Sequence, residues 1–120
     1  MRILVVEGIP LITQAIERAG EDFQVKVDHA SDGWDAIEKL ETEEYAAIVI
    51  DADLPRHSGY GVLTYLREEV GELGNVIVMT SDRDEVQRKV TGGVKVIDKA
   101  QHASELERAV RTACTVYVTE

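Results

Sequence analysis

The segment AAIVIDAD, residues 46–53, sets the predicted fold of this 120-residue chain. Its five leading apolar residues run directly into Asp51, Ala52 and Asp53. Similar apolar runs occur in ILVV at residues 3–6 and in VIVM at residues 76–79. Strands that are apolar on both faces are typical of the interior of a parallel sheet, so we predict that all three runs are buried strands.

Helical patterns separate these runs from one another and from two weaker strand candidates. The predicted strands are Arg2–Val6, Gln24–His29, Ala46–Asp51, Asn75–Thr80 and Val94–Asp98. The predicted helices cover about residues 10–20, 31–40, 60–70, 83–90 and a last segment from about 104. Five alternating strand and helix units predict an α/β fold, a doubly wound five-stranded parallel sheet with helices on both faces.

The two ends of the last helix carry different signals. Ser104 with Glu107 has the spacing of a capping box, which would start this helix at Ser104. Beyond it, residues 115–120 have a strand-like composition. We therefore predict one domain over residues 1–114, followed by a C-terminal tail of residues 115–120.

Composition narrows the range of functions. With 13 basic and 23 acidic residues the net charge is −10, which argues against direct binding to nucleic-acid phosphates. The acidity fits either a high-salt habitat or an ordinary acidic protein, and both explanations stay open. Cys114 is the only cysteine, which fits a reducing cytosol, and no apolar run approaches the ~20 residues of a membrane span. We therefore predict a cytoplasmic protein without a membrane segment.

Polar residues cluster at the predicted carboxyl ends of four strands. Ligands bind at this edge of such sheets. The strand ends are Glu7-Gly8, Asp51-Ala52-Asp53, Thr80-Ser81 and Asp98-Lys99. Each residue alone has a simpler explanation as a turn, cap or surface residue, whereas the four ends together favour one shared site.

The chemistry of these residue types points to phosphoryl transfer. If the chain stays extended through Ala52, Asp51 and Asp53 lie on the same side of it, and carboxylates of this kind suit Mg²⁺. Lys99 supplies a cation for a phosphoryl group, and the Thr80 hydroxyl supplies a hydrogen-bond donor. A carboxylate can itself be the nucleophile and form an aspartyl phosphate.

Over about residues 2–114 the chain resembles a response-regulator receiver domain. The segments that carry the resemblance are ILVVEGIPLI, ASDGWDAIEKL, IVIDADLPRHSG, VIVMTS and VIDK. The resemblance implies a flavodoxin-like fold with strand order 2-1-3-4-5 and a signalling domain, not an enzyme. It implies that Asp51 accepts a phosphoryl group from a histidine kinase or phosphotransfer protein, and that Thr80 and Lys99 sense and hold it. It also implies an Mg²⁺ site that includes Glu7, Asp51 and Asp53.

The chain departs from the family pattern at three positions. Gly8 stands where the family has a second acid that binds the metal, so we expect Mg²⁺ binding to be weak. Val96 stands where the family has a switch aromatic, and Ala100 stands where a proline follows the lysine. A switch based on an aromatic ring that moves inward is therefore not expected.

Three other functions are alternatives to the phosphoacceptor. A pseudo-receiver, which binds a partner without phosphorylation, is favoured by Gly8, Val96 and Ala100, whereas Asp51, Thr80 and Lys99 oppose it. A flavin-binding flavodoxin shares the fold, but its phosphate loop does not match the short apolar turn at residues 8–10. No G-x-x-x-x-G-K-[ST] loop occurs, which argues against a nucleotide hydrolase.

Overall fold

A computed structural model describes residues 1–6, 10–53, 58–71, 73–89, 94–99 and 102–119 of the chain. Its sheet has the strand order β2-β1-β3-β4-β5, and every neighbouring pair is parallel. The strands are β1 (Arg2–Val6), β2 (Lys26–Ala30), β3 (Ala47–Asp51), β4 (Val76–Thr80) and β5 (Lys95–Asp98). The predicted fold class and strand order are confirmed.

The helices follow the predicted order. They are α1 (Pro10–Ala19), α2 (Gly33–Thr42), α3 (Ser58–Tyr65), α4 (Arg83–Lys89) and α5 (His102–Thr119). A π-helical turn, Leu66–Val70, extends α3, and a 3₁₀ turn, Glu21–Phe23, precedes β2. Strand β2 begins two residues later than predicted because Gln24 adopts a left-handed conformation, with φ 54°, that ends this 3₁₀ turn. No helix in these ranges combines the length and the apolar character that a membrane crossing requires.

The core lies on both faces of the sheet, as the doubly apolar strands predict. Alternate residues of β1 point to opposite faces, so Val5 packs with α1 and α5, whereas Leu4 packs with α2, α3 and α4. All residues of β3 and β4 are buried. The sheet therefore holds the ends of its central strands in fixed positions beneath any site built on them.

One expectation about the last helix is wrong. Helix α5 begins at His102, so Ser104 lies within its first turn and is not the residue before it. The helix also continues to Thr119, although residues 115–119 have a strand-like composition. The hydroxyls of Thr115 and Thr119 donate to the carbonyls of Arg111 and Thr115, which accommodates these β-branched residues in a helix.

Gly20 and Gly61 offer a matched test of the packing. A Cβ at Gly20 would lie 2.5 Å from Cγ2 of Val25, whereas a Cβ at Gly61, inside α3, would meet nothing within 4 Å. We expect Gly20→Ala to lower the free energy of unfolding by about 1–3 kcal/mol because of overpacking. Gly61→Ala should raise it by about 0.5–1 kcal/mol because alanine favours the helix. Urea denaturation measures both, and equal changes would contradict the packing at Gly20.

Candidate functional site

The carboxyl edge of the sheet brings the predicted polar residues together. Asp51 ends β3, Thr80 ends β4, and Lys99 directly follows β5. Asp51 is 4% exposed and Thr80 is 1% exposed, and they are the buried polar side chains among the described residues. Because a buried polar group requires a partner, the contacts of these two side chains define the site.

Asp51 is paired with Lys99. The Lys99 Nζ lies 2.7 Å from Oδ1 and 2.8 Å from Oδ2 of Asp51. The backbone N–H of Asp53 also donates to Asp51 Oδ1, at 2.9 Å. A buried carboxylate needs both a counter-ion and hydrogen bonds to offset its desolvation, and this arrangement supplies both.

Asp53 reaches the same site by a different path from the one predicted. The chain turns after Asp51 and does not stay extended through Ala52, whose N–H donates to the carbonyl of Met79 at 2.9 Å. The turn is closed by the bond from the Asp53 N–H to the Asp51 side chain, as in an Asx-turn. The Asp53 carboxylate still lies beside Asp51, because the Lys99 Nζ is 3.1 Å from Asp53 Oδ2.

Two further donors hold the Asp53 carboxylate. The Thr80 hydroxyl donates to Oδ1 at 3.0 Å, and the Ser81 backbone N–H donates to Oδ2 at 2.8 Å. The Thr80 oxygen in turn accepts a bond from the Asp82 N–H at 3.0 Å. Asp53 therefore links Lys99 at the end of β5 to the turn that leads from β4 into α4.

These contacts determine the protonation states of Asp53 and Lys99. Burial would raise the pKa of the Asp53 carboxyl, but bonds from Lys99, Ser81 and Thr80 outweigh it, so that this pKa is lower than usual. Burial would likewise lower the pKa of Lys99, yet Asp51 and Asp53 outweigh it and raise that pKa. At neutral pH Asp53 is ionised and Lys99 is protonated.

Val96 lies in the core three residues before Lys99. Its side chain is 7% exposed and packs in the apolar cluster of the face that carries α2, α3 and α4. Its carbonyl accepts a bond from Arg83 Nη2 at 3.0 Å, which joins β5 to the start of α4. The position of the expected switch aromatic is thus filled by a small, fixed core residue.

The predicted metal ligands are only partly described. Glu7 and Gly8 lie outside the described residues, as do Ala100 and the segment 54–57 with Pro55 and His57. Within the described ranges no group of three or more acidic, histidine or cysteine side chains is placed to hold a metal ion. Asp51 and Asp53 contribute two carboxylates, and a third ligand from this set of predictions can come only from Glu7.

Sequence reasoning missed three contacts of this site. Asp82 caps α4, because its Oδ1 accepts the Glu85 N–H at 3.1 Å, and an acid three residues before Glu85 is a recognisable signal for such a cap. The Ser81 contact comes from the backbone, so no side-chain pattern indicates it. Neither did the sequence indicate that Asp53 would accept from both Thr80 and Ser81.

Comparison with known proteins agrees with this geometry. The family model of the response regulator receiver domain matches residues 3–111. The chain is 36% identical over 92 residues to the transcriptional regulatory protein DltR of Streptococcus agalactiae, covering 77% of this chain and 40% of DltR. It is 38% identical over 95 residues to the alkaline phosphatase synthesis transcriptional regulatory protein PhoP of Bacillus subtilis, covering 76% of this chain and 37% of PhoP. The chain thus matches about two fifths of the length of these curated relatives.

A solved structure gives the same result for the fold. It is the receiver domain of a sensor histidine kinase from Pseudomonas aeruginosa, described with a magnesium ion coordinated in its active site cleft. It superposes with a TM-score of 0.72 at 25% identity, covering 95% of this chain and 97% of that one.

Replacement of Lys99 by methionine tests the ion pair. We expect Lys99→Met to keep the fold but to lower the free energy of unfolding at pH 7 by about 1–3 kcal/mol, because it leaves Asp51 buried without its cation. The lowered pKa of Asp53 means that its share of this stabilisation is full above about pH 4 and is lost as the pH falls through that lowered pKa. Urea titrations at several pH values measure the difference.

The control is Lys95→Met, which removes an exposed lysine from the first position of β5. We expect little change in the free energy of unfolding from this control. Equal losses in both variants at pH 7 would contradict a stabilising role for the Lys99 pair.

Proposed function

The chain belongs to the response regulator receiver domain family, and on that premise we propose that Asp51 accepts a phosphoryl group from a histidine kinase or a phosphotransfer protein. The observation that carries this proposal is the contact of the Lys99 ammonium with both oxygens of Asp51, at the end of the central strand. The proposed role is that of a cytoplasmic signalling domain that receives the group and then changes its contacts with a partner. It is not that of an enzyme acting on a separate substrate.

The proposed transfer uses three side chains of this site, a phosphohistidine of the partner, and water. One Asp51 oxygen attacks the phosphorus of a phosphohistidine, and the new P–O bond forms as the P–N bond breaks. The electron pair of that bond stays on the imidazole nitrogen, which takes a proton from water. Lys99 would offset the charge of the arriving group, and the Thr80 hydroxyl, which now donates to Asp53 at 3.0 Å, would donate to one of its oxygens.

The donor set fits Mg²⁺. The carboxylates of Asp51 and Asp53 contact a single ammonium, and hard carboxylate oxygens are the ligands that Mg²⁺ prefers. We propose that these two residues and Glu7 hold the ion, which supplies positive charge to the oxygens of the transferring group. Gly8 contributes no carboxylate, so binding should be weak.

Hydrogen bonds connect this site to the start of helix α4. The Thr80 oxygen accepts from the Asp82 N–H, and Asp82 caps α4. A change in the orientation of the Thr80 hydroxyl would therefore alter the start of α4. We propose that partner contacts change through α4, without an inward movement at Val96.

Intact-mass analysis after incubation with phosphoramidate and Mg²⁺ tests the phosphoacceptor. We expect the parent protein and the control Asp84→Asn, which changes an exposed acid of α4, to gain one phosphoryl group. Asp51→Asn should gain none, because it lacks the nucleophilic carboxylate. Uptake by Asp51→Asn at the parent rate would overturn the assignment. Failure of every protein to gain mass would favour the module that binds partners without phosphorylation.

Substitution at position 8 tests the metal. We expect Gly8→Asp to bind Mg²⁺ more tightly, because the new carboxylate replaces a water that neutralises no charge. Without metal it should melt at a lower temperature than the parent, because another negative charge then lies near Glu7 and Asp51. Thermal melts with and without Mg²⁺ at fixed ionic strength measure both effects. An equal gain from Mg²⁺ in both proteins would mean that position 8 does not face the ion.

A further inference from the structure

The Thr80 hydroxyl and the Ser81 N–H each have a single hydrogen to donate, and both donate it in a hydrogen bond to the Asp53 carboxylate. The distances are 3.0 Å from Thr80 Oγ1 to Oδ1 and 2.8 Å from the Ser81 nitrogen to Oδ2. A hydroxyl or a backbone amide cannot donate fully to two acceptors at once. Any other anion that uses these donors must therefore displace the Asp53 carboxylate.

A phosphoryl group on Asp51 would need the same donors. The Lys99 Nζ lies 2.7 Å from Asp51 Oδ1 and 3.1 Å from Asp53 Oδ2, so the two carboxylates share one ammonium. In a phosphoryl group bonded to an Asp51 oxygen, phosphorus lies one bond beyond that oxygen and the three terminal oxygens lie two bonds beyond it. Lys99 contacts both carboxylates, and Thr80 and Ser81 hold the carboxylate of Asp53, so these are the described donors next to Asp51 that such oxygens can use.

We propose that the Asp53 carboxylate is an internal occupant of the phosphoryl position, which holds the Thr80, Ser81 and Lys99 donors until a phosphoryl group on Asp51 displaces it. This inference rests on the proposed function of Asp51 for its consequence but not for its geometry. Asp53 is a positioning residue in this account, because it sets the state of the donors and does not react itself.

The occupant changes the reaction in two ways. It keeps the donors in contact with an anion before phosphorylation, so the unmodified site is already partly organised. It also adds a negative charge and an energetic cost of displacement to the approach of a negatively charged donor. Both effects follow from an ionised carboxylate within contact of Lys99, and neither would follow from an uncharged residue at this turn.

The rate of phosphorylation separates this role from a purely structural one. Parent, Asp53→Asn and the charge-matched control Asp84→Asn are incubated with phosphoramidate at saturating Mg²⁺, and intact mass is followed over time. Saturation removes any effect of the substitution on metal affinity. Among the described contacts Asp53 Oδ1 accepts only from the Thr80 hydroxyl, so it keeps a lone pair for the ion while the carboxylate occupies the donors. We expect Asp53→Asn to react about tenfold faster than the parent, because one like charge at close range is removed. Asp84→Asn should react at the parent rate.

A rate for Asp53→Asn equal to or below that of the parent overturns the proposal. A variant that merely damaged the site would not react faster, so an increase supports displacement of the occupant. An equal increase in Asp84→Asn would assign the effect to net charge and would also overturn the proposal.

A second measurement decides the matter if the parent accepts no phosphoryl group. Asp51→Asn and the double variant Asp51→Asn with Asp53→Asn are titrated with inorganic phosphate without metal, and the amide resonance of Ser81 is followed by NMR. We expect the double variant to bind phosphate about tenfold more tightly, because its donors are free of the carboxylate. Equal affinities, or no binding by the double variant, would overturn the proposal. Because no covalent transfer is needed, the failure of the proposed function can be distinguished from the failure of this inference.

Discussion

The ammonium of Lys99 between Asp51 and Asp53 is the interaction on which the arrangement of this site depends. A carboxylate that is 4% exposed at the end of a central strand is unfavourable unless a cation lies against it. In this sheet the cation comes from the end of another strand at the same edge. Here it follows β5, which is separated from β3 by β4. The order of the strands thus positions the charge that makes a buried Asp51 tolerable.

Strands β1 and β2 carry a second ion pair, between Arg2 and Asp28, which differs from the Lys99 group. Arg2 donates to both oxygens of Asp28 at 2.9 and 3.0 Å, and the Tyr45 hydroxyl donates to the same carboxylate at 2.9 Å. Burial and the Asp28 carboxylate both raise the pKa of Tyr45, which keeps its hydroxyl protonated. The Arg2 Nη1 and the Tyr45 hydroxyl both donate to Asp28, and the group ties β1 and β2 to the start of β3. The Lys99 group differs because its acceptors, Asp51 and Asp53, lie at the ligand-binding edge of the sheet, where a second anion can compete for its donors.

The sequence predicted those parts of the structure that depend on apolar periodicity. The predicted bounds of β1, β3 and β4 agree with the structure to within one residue, because strands that are apolar on both faces are stable only when both faces are buried. It failed where local chemistry decides. Ser104 has the type and spacing of a cap, but the helix begins before it. Residues 115–119 are helical despite their strand-like composition, and the hydroxyls of Thr115 and Thr119 bond to carbonyls of the same helix. For the site, residue types at strand ends predicted which groups meet, whereas the turn after Asp51 decided which group donates to which.

Asp53 adds an energetic cost to phosphorylation of Asp51 but does not prevent it. Its carboxylate carries one negative charge and is held by bonds from Thr80, Ser81 and Lys99. A phosphoryl group carries more charge and more oxygens, and its bond to Asp51 gives it a high effective concentration at these donors. The phosphoryl group therefore binds the donors once it is attached to Asp51, whereas Asp53 binds them before attachment. The donors bind an anion both before and after phosphorylation, so the free-energy difference between these two states is smaller than it would be for a site that is empty before phosphorylation. The change in partner binding that phosphorylation can drive is therefore also smaller.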